Sequence, residues 1–137
     1  VGGVFVPHLV IEHSVNLADK TDMDHLCREL HSVMVSSNLF ELGGIRVRAF
    51  SAAHYAIADL QGENGFVDLN LRIGKGRSLE EKKKVGDALM ERAQTVLAPL
   101  FETEHFALSL EIREIDADLS WKRNTIHKRI RATGPNS

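Results

Sequence analysis

The feature that most constrains the fold is a pattern that occurs twice along the chain. In each half, a short segment of strand character is followed by an amphipathic helix and then by a second strand. The two units span roughly residues 7–50 and 66–115. Because βαβ crossovers are right-handed, both helices come to lie on one face of the sheet. The sequence therefore predicts an α/β (α+β) fold in which two βαβ units form a four-stranded sheet with two helices on one face.

Three local signals support this division. Apolar and polar residues alternate most cleanly in Phe66–Ile73, which is typical of a half-buried strand. Apolar residues recur at helical spacing through 23–37, which predicts the first helix. Ser78 and Glu81 have the spacing of a capping box and predict the start of the second helix, which Pro99 is expected to kink or end.

The second face of the predicted sheet has no helix to cover it. This face carries Val10 and otherwise mixed residues, so contact with another subunit suits it better than contact with bulk water. We therefore predict a ring-shaped oligomer.

Size and composition indicate an ordinary globular domain. With 137 residues, of which 43% are hydrophobic and 26% charged, the chain should bury about two thirds of its unfolded surface. We predict an N-terminal extension at 1–6, a single domain at 7–131 and a flexible tail at 132–137. The formal charge of -2 gives no reason to expect nucleic acid or an anionic membrane as a partner. No apolar run approaches the length of a membrane span, and the expected location is the cytoplasm.

Residues that could bind metal or act as a thiol nucleophile are poorly placed. The single cysteine, Cys27, lies on the apolar side of the first helix, which favours an inert, buried thiol. His8 and His13 fall on opposite faces of the first strand, and no HxxxH or HExxH pair occurs. We predict no metal site.

Pro7 is a candidate general base, because an N-terminal proline is a secondary amine whereas an internal proline is an amide without basicity. The alternative is that Pro7 only begins a strand, for which a residue without an amide hydrogen is well suited. Arg46 and Arg77, each close to a pair of glycines, are the polar groups expected at strand or loop ends near Pro7. Arg77 has the alternative of being a solvent-exposed loop cation.

Four segments together resemble the 5-carboxymethyl-2-hydroxymuconate isomerase family of the tautomerase superfamily. They are Pro7–Glu12, Leu42–Arg48, Leu71–Glu80 and Ala107–Ile112. The likeness extends to about Arg131 and so covers nearly the whole chain. It implies a tautomerase-like fold that assembles as a homotrimer around a central barrel of sheets.

The resemblance also implies a reaction and its residues. The family moves one proton in an unsaturated 2-hydroxy/2-oxo di- or tricarboxylate, using an N-terminal proline as the base, and this role matches Pro7. Arginines that hold the carboxylates match Arg46 and Arg77. No cofactor is implied, and the expected partner is a small carboxylate substrate. Two alternatives stay open: another activity of the superfamily, such as a hydratase or dehalogenase on unsaturated acids, or a non-catalytic trimeric binding protein if Pro7 is never freed.

The sequence departs from the family at its start, where Val1–Val6 precede the proline. Valine is how a GTG start codon is written when it is translated literally, so Val6 is a candidate start that would leave Pro7 terminal after processing. The other readings are that residues 1–6 are an addition to the natural chain, or that the protein does not use Pro7 as a base.

Overall fold

Four strands form the sheet, and the computed structural model describes residues 7–133. The strands are β1 (His8–Ser14), β2 (Arg46–Ala52), β3 (Gly65–Gly74) and β4 (Phe106–Ile115). The predicted extension at 1–6 and residues 134–137 of the predicted tail lie outside the described residues.

The strand order is β2-β1-β3-β4. β1 runs parallel to β2, and β3 runs parallel to β4, while β1 and β3 are antiparallel. Each βαβ unit thus contributes one parallel pair, since a crossover helix returns the chain to the same end of the sheet. The prediction of two βαβ units in one four-stranded sheet is confirmed.

The two crossover helices begin where the sequence supplies capping side chains. α1 (Met23–Ser36) follows Asp22, whose carboxylate accepts a hydrogen bond from an amide of the first turn at 3.1 Å. α2 (Leu79–Val96) follows Ser78, which forms the predicted capping box with Glu81.

Pro99 interrupts the second helix as predicted. The chain turns at Leu97 and continues into α3 (Ala98–Phe101), with the proline in the first turn, where its missing amide hydrogen costs nothing. The last helix, α4 (Thr125–Thr133), follows an irregular segment after β4. None of the helices within residues 7–133 is long and apolar enough to cross a membrane.

The core lies between the sheet and the two crossover helices. It contains the buried residues Leu9, Ile11, Leu69 and Leu71 of the central strands, together with Leu26, Leu30, Met34, Val85, Leu89 and Ala93 of α1 and α2. Burying one such large aliphatic side chain contributes about 1.5–3 kcal/mol, and this term holds both helices on the same face.

The other side of the sheet is called the open face here. It is formed by His8, Val10 and Glu12 of β1 and by their cross-strand neighbours. His8 and Val10 are half-buried and Glu12 is exposed, whereas the intervening Leu9 and Ile11 are fully buried. In β2, Phe50 on the open face is 55% exposed. The alternation of the strands therefore separates an apolar covered face from an open face of mixed polar and apolar residues.

Candidate active site

Pro7 lies at an edge of the sheet where three strand ends meet. The residue is buried, and its carbonyl oxygen accepts a hydrogen bond from the Arg46 amide at 3.1 Å. The next residue, His8, pairs with Arg46 in β2 and with Arg72 in β3. Because β3 is antiparallel to β1 and β2, its end meets their beginnings. Pro7 thus shares this edge with residues from two distant parts of the sequence.

Arg46 is the first residue of β2 and is half-buried. Its Nη1 donates a hydrogen bond to the Gly44 carbonyl oxygen at 3.2 Å. Within residues 7–133, no carboxylate lies at salt-bridge distance from its guanidinium. Most of its N–H donors therefore remain available to a ligand carboxylate, which a guanidinium binds through two parallel hydrogen bonds.

Arg77 follows the end of β3, and its guanidinium is fastened to two loops. Nε and Nη2 donate to the Leu39 carbonyl oxygen at 3.3 and 2.9 Å, and Nη1 donates to the Gly74 carbonyl oxygen at 3.0 Å. The group also stacks over the Phe40 ring, 4.9 Å from its centroid. Burial lowers the pKa of this arginine. A guanidinium has five N–H donors, so one N–H on each Nη remains for a ligand.

The structure therefore brings the predicted residues to one edge. Pro7 and Arg46 are joined through the backbone, and Arg77 reaches the same edge through Gly74, which ends β3. Arg77 is not the freely exposed loop cation of the alternative interpretation. Its side chain is half-buried and positioned by three hydrogen bonds.

His8, which the sequence analysis did not assign to the site, lies between Arg46 and Arg72 in the strand register. Arg48 Nη1 donates to His8 Nδ1 at 3.1 Å, so the ring is neutral and carries its hydrogen on Nε2. Burial is the largest cause that lowers the pKa of His8 from 6.5 to about 4, followed by the charges of Arg72, Arg48 and Arg46 and of Lys122. We call His8, Arg46, Arg48 and Arg72 the arginine cluster.

The last helix closes over the loop that leads into Arg46. The Asn124 side chain donates to the Gly43 carbonyl oxygen at 3.0 Å, while its own oxygen accepts from the first amides of α4. His127 is buried against Gly43, where an added Cβ would come within 2.8 Å of its ring. Arg131 pairs with Glu41 and lowers the pKa of that carboxyl group. These contacts hold the backbone of the loop that precedes Arg46 in place.

Sequence patterns could identify only part of this arrangement. Alternation alone places His8, Arg46, Arg48 and Arg72 on outward positions of their strands, but their proximity depends on the strand order and register. The packing of α4 against the loop before Arg46 depends on a contact between two residues 81 positions apart, Asn124 and Gly43. No local pattern indicates such a contact.

Other parts of the described chain offer less for this chemistry. A surface cavity of about 730 Å³ is lined by His13, Lys20 and Ser51, at the opposite end of β1 from Pro7. Among residues 7–133, no group of three His, Cys, Asp or Glu side chains could hold a metal ion. Burial raises the pKa of the Cys27 thiol, which disfavours the reactive thiolate.

Comparison with known proteins identifies relatives over the same region. A family model for 5-carboxymethyl-2-hydroxymuconate isomerase matches residues 7–130. The 5-carboxymethyl-2-hydroxymuconate Delta-isomerase of Escherichia coli is 34% identical over 122 residues, which cover 89% of this chain and 97% of that protein.

Solved structures show the same likeness in three dimensions. A 5-carboxymethyl-2-hydroxymuconate isomerase from Deinococcus radiodurans R1 is 38% identical with a TM-score of 0.89, covering 95% of this chain and 98% of its own. A 5-carboxymethyl-2-hydroxymuconate delta-isomerase structure is 34% identical with a TM-score of 0.84, covering 91% and 93%. At 16% identity and a TM-score of 0.58, a fused 4-OT symmetric trimer shares the fold alone, covering 81% of this chain and 88% of its own.

Proposed function

The chain belongs to the 5-carboxymethyl-2-hydroxymuconate isomerase family, and we propose that 5-carboxymethyl-2-hydroxymuconate, or a closely similar unsaturated 2-hydroxy di- or tricarboxylate, is its substrate. The predictions of this family and of an isomerase are confirmed by the family match over residues 7–130. The observation that supports the substrate proposal is that Pro7, Arg46 and the end of β3 that leads into Arg77 lie at the same end of the sheet.

In the proposed mechanism, the free amine of Pro7 is the base. The amine accepts the proton of the 2-hydroxyl group, the C–O bond becomes a carbonyl, and the electron pair moves along the conjugated chain to a distant carbon. That carbon then takes the proton from the proline ammonium. One proton is moved and no electrons are lost or gained, so the step is balanced without a co-reactant.

The two arginines have different parts in this proposal. Arg46, which has no carboxylate partner within the described residues, binds a substrate carboxylate. Arg77 is held by Leu39 and Gly74, so its remaining N–H donors point from a fixed position. Such a fixed cation stabilises negative charge that develops on the dienolate, because it need not reorganise during the reaction. Both cations also favour the neutral form of a nearby amine.

A homotrimer acting in the cytoplasm completes the proposal. The open face supports an oligomer, because it leaves Phe50 and half-buried Val10 without cover in the single chain. Sedimentation equilibrium checks the assembly, and a monomer throughout the micromolar range would contradict it.

The base is tested with two versions of the protein, one starting at Val1 and one starting at Pro7. An amide nitrogen cannot accept the proton, so we expect the longer version to be nearly inactive on 5-carboxymethyl-2-hydroxymuconate and the shorter one to isomerise it. The rate of the shorter version should rise with pH through one ionisation at or below the α-amino reference of about 7.7–8.0.

A matched variant distinguishes the contribution of the amine to activity from that of the proline ring. Pro7→Ala at a free terminus keeps a primary amine, so partial activity is expected rather than none. Equal activity of the versions starting at Val1 and Pro7 would contradict the proline mechanism and favour a base elsewhere in the site.

A further inference from the structure

We propose that Asn124 and His127 of α4 are positioning residues for the proposed reaction. They hold the turn that precedes Arg46, and through this turn they determine where the Arg46 guanidinium meets the substrate carboxylate. They act through Arg46 and are assigned no contact with the substrate. The inference rests on the proposed function, from which it takes the binding role of Arg46, and it adds the last helix to the site.

Residues 41–44, called the glycine turn here, connect α4 to Arg46. Inside the turn, the Gly44 amide donates to the Glu41 carbonyl oxygen at 3.0 Å. The Gly44 carbonyl oxygen accepts from Arg46 Nη1 at 3.2 Å, and the Arg46 amide donates to the Pro7 carbonyl oxygen at 3.1 Å. Within the arginine cluster, Arg46 is the member whose guanidinium is bonded to this turn. A displacement of the glycine turn is therefore passed to Arg46 through direct hydrogen bonds.

Asn124 joins the start of α4 to the middle of the glycine turn. Its side-chain nitrogen donates to the Gly43 carbonyl oxygen at 3.0 Å. Its side-chain oxygen accepts from the Ile126 amide at 2.8 Å and from the His127 amide at 3.1 Å, which caps the helix. One side chain thus starts the helix and holds the turn, and because it uses a different atom for each, a substitution can separate the two roles.

His127 lies so close to Gly43 that no side chain fits at that position. A Cβ added to Gly43 would lie 2.8 Å from His127 Nδ1, 2.9 Å from its Cα and 3.0 Å from its backbone nitrogen. Gly43 does not have a positive φ, so space rather than backbone conformation excludes a side chain. Two of the three atoms belong to the backbone of α4, so rotation of the imidazole cannot relieve the contact. The position of α4 therefore determines the position of the glycine turn.

The choice of a histidine at this place is explained by the glycine turn. His127 is 7% exposed, and neither of its ring nitrogens has a hydrogen-bond partner within residues 7–133. An aliphatic side chain would fill an ordinary core position without burying two unpaired polar atoms. Here the ring packs on Gly43, while Nδ1 lies 3.5 Å from Oε2 of Glu41, which also pairs with Arg131. Both ends of the contact are residues of the glycine turn.

These contacts are made within one chain and do not depend on exposure of the open face. Gly43, Gly44 and His127 are buried by the chain itself, and Asn124 is half-buried. A second copy that covers the open face would therefore leave the link between α4 and Arg46 intact.

The first test separates the two roles of Asn124 in the version that starts at Pro7. Asn124→Asp keeps an oxygen that caps α4, but it replaces the N–H donor to Gly43 by a carboxylate oxygen that repels the carbonyl group. We expect kcat/KM on 5-carboxymethyl-2-hydroxymuconate to fall about tenfold, mainly through a higher KM, because binding by Arg46 is weakened. Gln94→Glu adds the same charge at an exposed position of α2 and should keep full activity.

A second variant changes the packing instead of the hydrogen bond. Gly43→Ala should displace the glycine turn from His127 and lower kcat/KM at least as much as Asn124→Asp does. Gly62→Ala is the matched control, because a Cβ at that position meets nothing within 4 Å, and it should keep full activity. Should Gly43→Ala fail to fold, Asn124→Asp decides the question.

A double-mutant cycle distinguishes positioning from a merely structural role of α4. If Asn124 acts through Arg46, Asn124→Asp should change kcat/KM less than twofold when Arg46 is already replaced in Arg46→Ala. Amide hydrogen exchange followed by NMR gives a readout that needs no turnover. In Asn124→Asp the Gly44 amide should exchange faster, whereas the amide of Leu71 in the core should keep its protection.

Three results would overturn the inference alone. They are an undiminished kcat/KM in Asn124→Asp, an equal loss with and without Arg46, and an unchanged exchange rate of the Gly44 amide. Failure of the proposed function gives a different result, an unaltered protein that is inactive although Pro7 is its first residue. That result would overturn both proposals together.

Discussion

The covered and open faces of the sheet are formed by alternate residues of the same strands, and the two faces have different roles. On the covered face, Leu9 and its neighbour Leu71 are fully buried beneath the helices. On the open face, the adjacent residues His8 and Arg72 carry polar groups that the described chain leaves without a carboxylate partner. Stability therefore comes mainly from one set of alternating residues, and the candidate chemistry comes from the other set.

The largest effect is expected from placing a charge on each face of β1 in turn. Ile11→Asp puts a carboxylate among buried aliphatic side chains, where it costs about 5 kcal/mol, comparable to the whole stability of many domains. Val10→Asp places the same group on the open face beside Arg48, its partner in β2. We expect circular dichroism to show an unfolded chain only for Ile11→Asp.

Sedimentation completes this comparison. Since the proposed oligomer covers the open face, Val10→Asp should change the association state while the secondary structure is kept. If Val10→Asp unfolds the chain as completely as Ile11→Asp does, the two faces do not differ as described.

The covered face could be predicted from the sequence because it depends on local information. Alternation in Phe66–Ile73 and the capping residues Ser78 and Glu81 each act within a few positions, and the structure reproduces them. For residues 51–60 the sequence pattern does not distinguish irregular strand from a turn of helix; in the structure β2 extends to Ala52, and 53–60 contain neither a helix nor a strand. The conformation of this segment depends on contacts such as Asn64 with Asp59 and His105.

The candidate site could be predicted only in part. Pro7, Arg46 and Arg77 were selected through the family resemblance and the glycines beside the arginines. The roles of Leu39 and Gly74 in holding Arg77 were not predictable, because backbone carbonyl groups leave no signature in the sequence. Register likewise determines that His8 lies between Arg46 and Arg72.

A smaller effect is expected from removing the two candidate arginines, which differ in how firmly the chain holds them. Arg46→Ala should cost about 2–5 kcal/mol in transition-state binding, measured as kcat/KM, with little change in the free energy of unfolding. Arg77→Ala should lose a similar amount of activity. It should also lower the free energy of unfolding by about 1.5–3 kcal/mol, because its hydrogen bonds to two loops are lost.

Arg28→Ala is the matched control for both variants. Its side chain is 78% exposed and pairs with Asp24 one helical turn away. Such a pair contributes at most about 0.5 kcal/mol, so neither activity nor stability should change much. Equal losses in all three folded variants would contradict the assignment of Arg46 and Arg77.

The smallest effect concerns the pH dependence of stability, for which His8 on the open face is responsible. Its pKa is lowered from 6.5 to about 4 in the folded protein, by burial first and then by Arg72, Arg48, Arg46 and Lys122. Between these two values the unfolded chain binds more protons than the folded one. The free energy of unfolding should therefore fall as the pH falls from about 6.5 towards 4, and the His8 contribution should level off below that.

Urea unfolding at several pH values between 7 and 4.5 measures this slope. The pKa values of Glu41 and Asp59 are lowered, so these carboxyl groups take up protons in the folded chain only below that range. His8→Gln removes the titrating group and should flatten the slope. Because the His8 ring is only half-buried, solvent screening keeps the effect below that of Arg77→Ala. An unchanged slope in His8→Gln would show that the pKa of His8 does not differ between the folded and the unfolded chain.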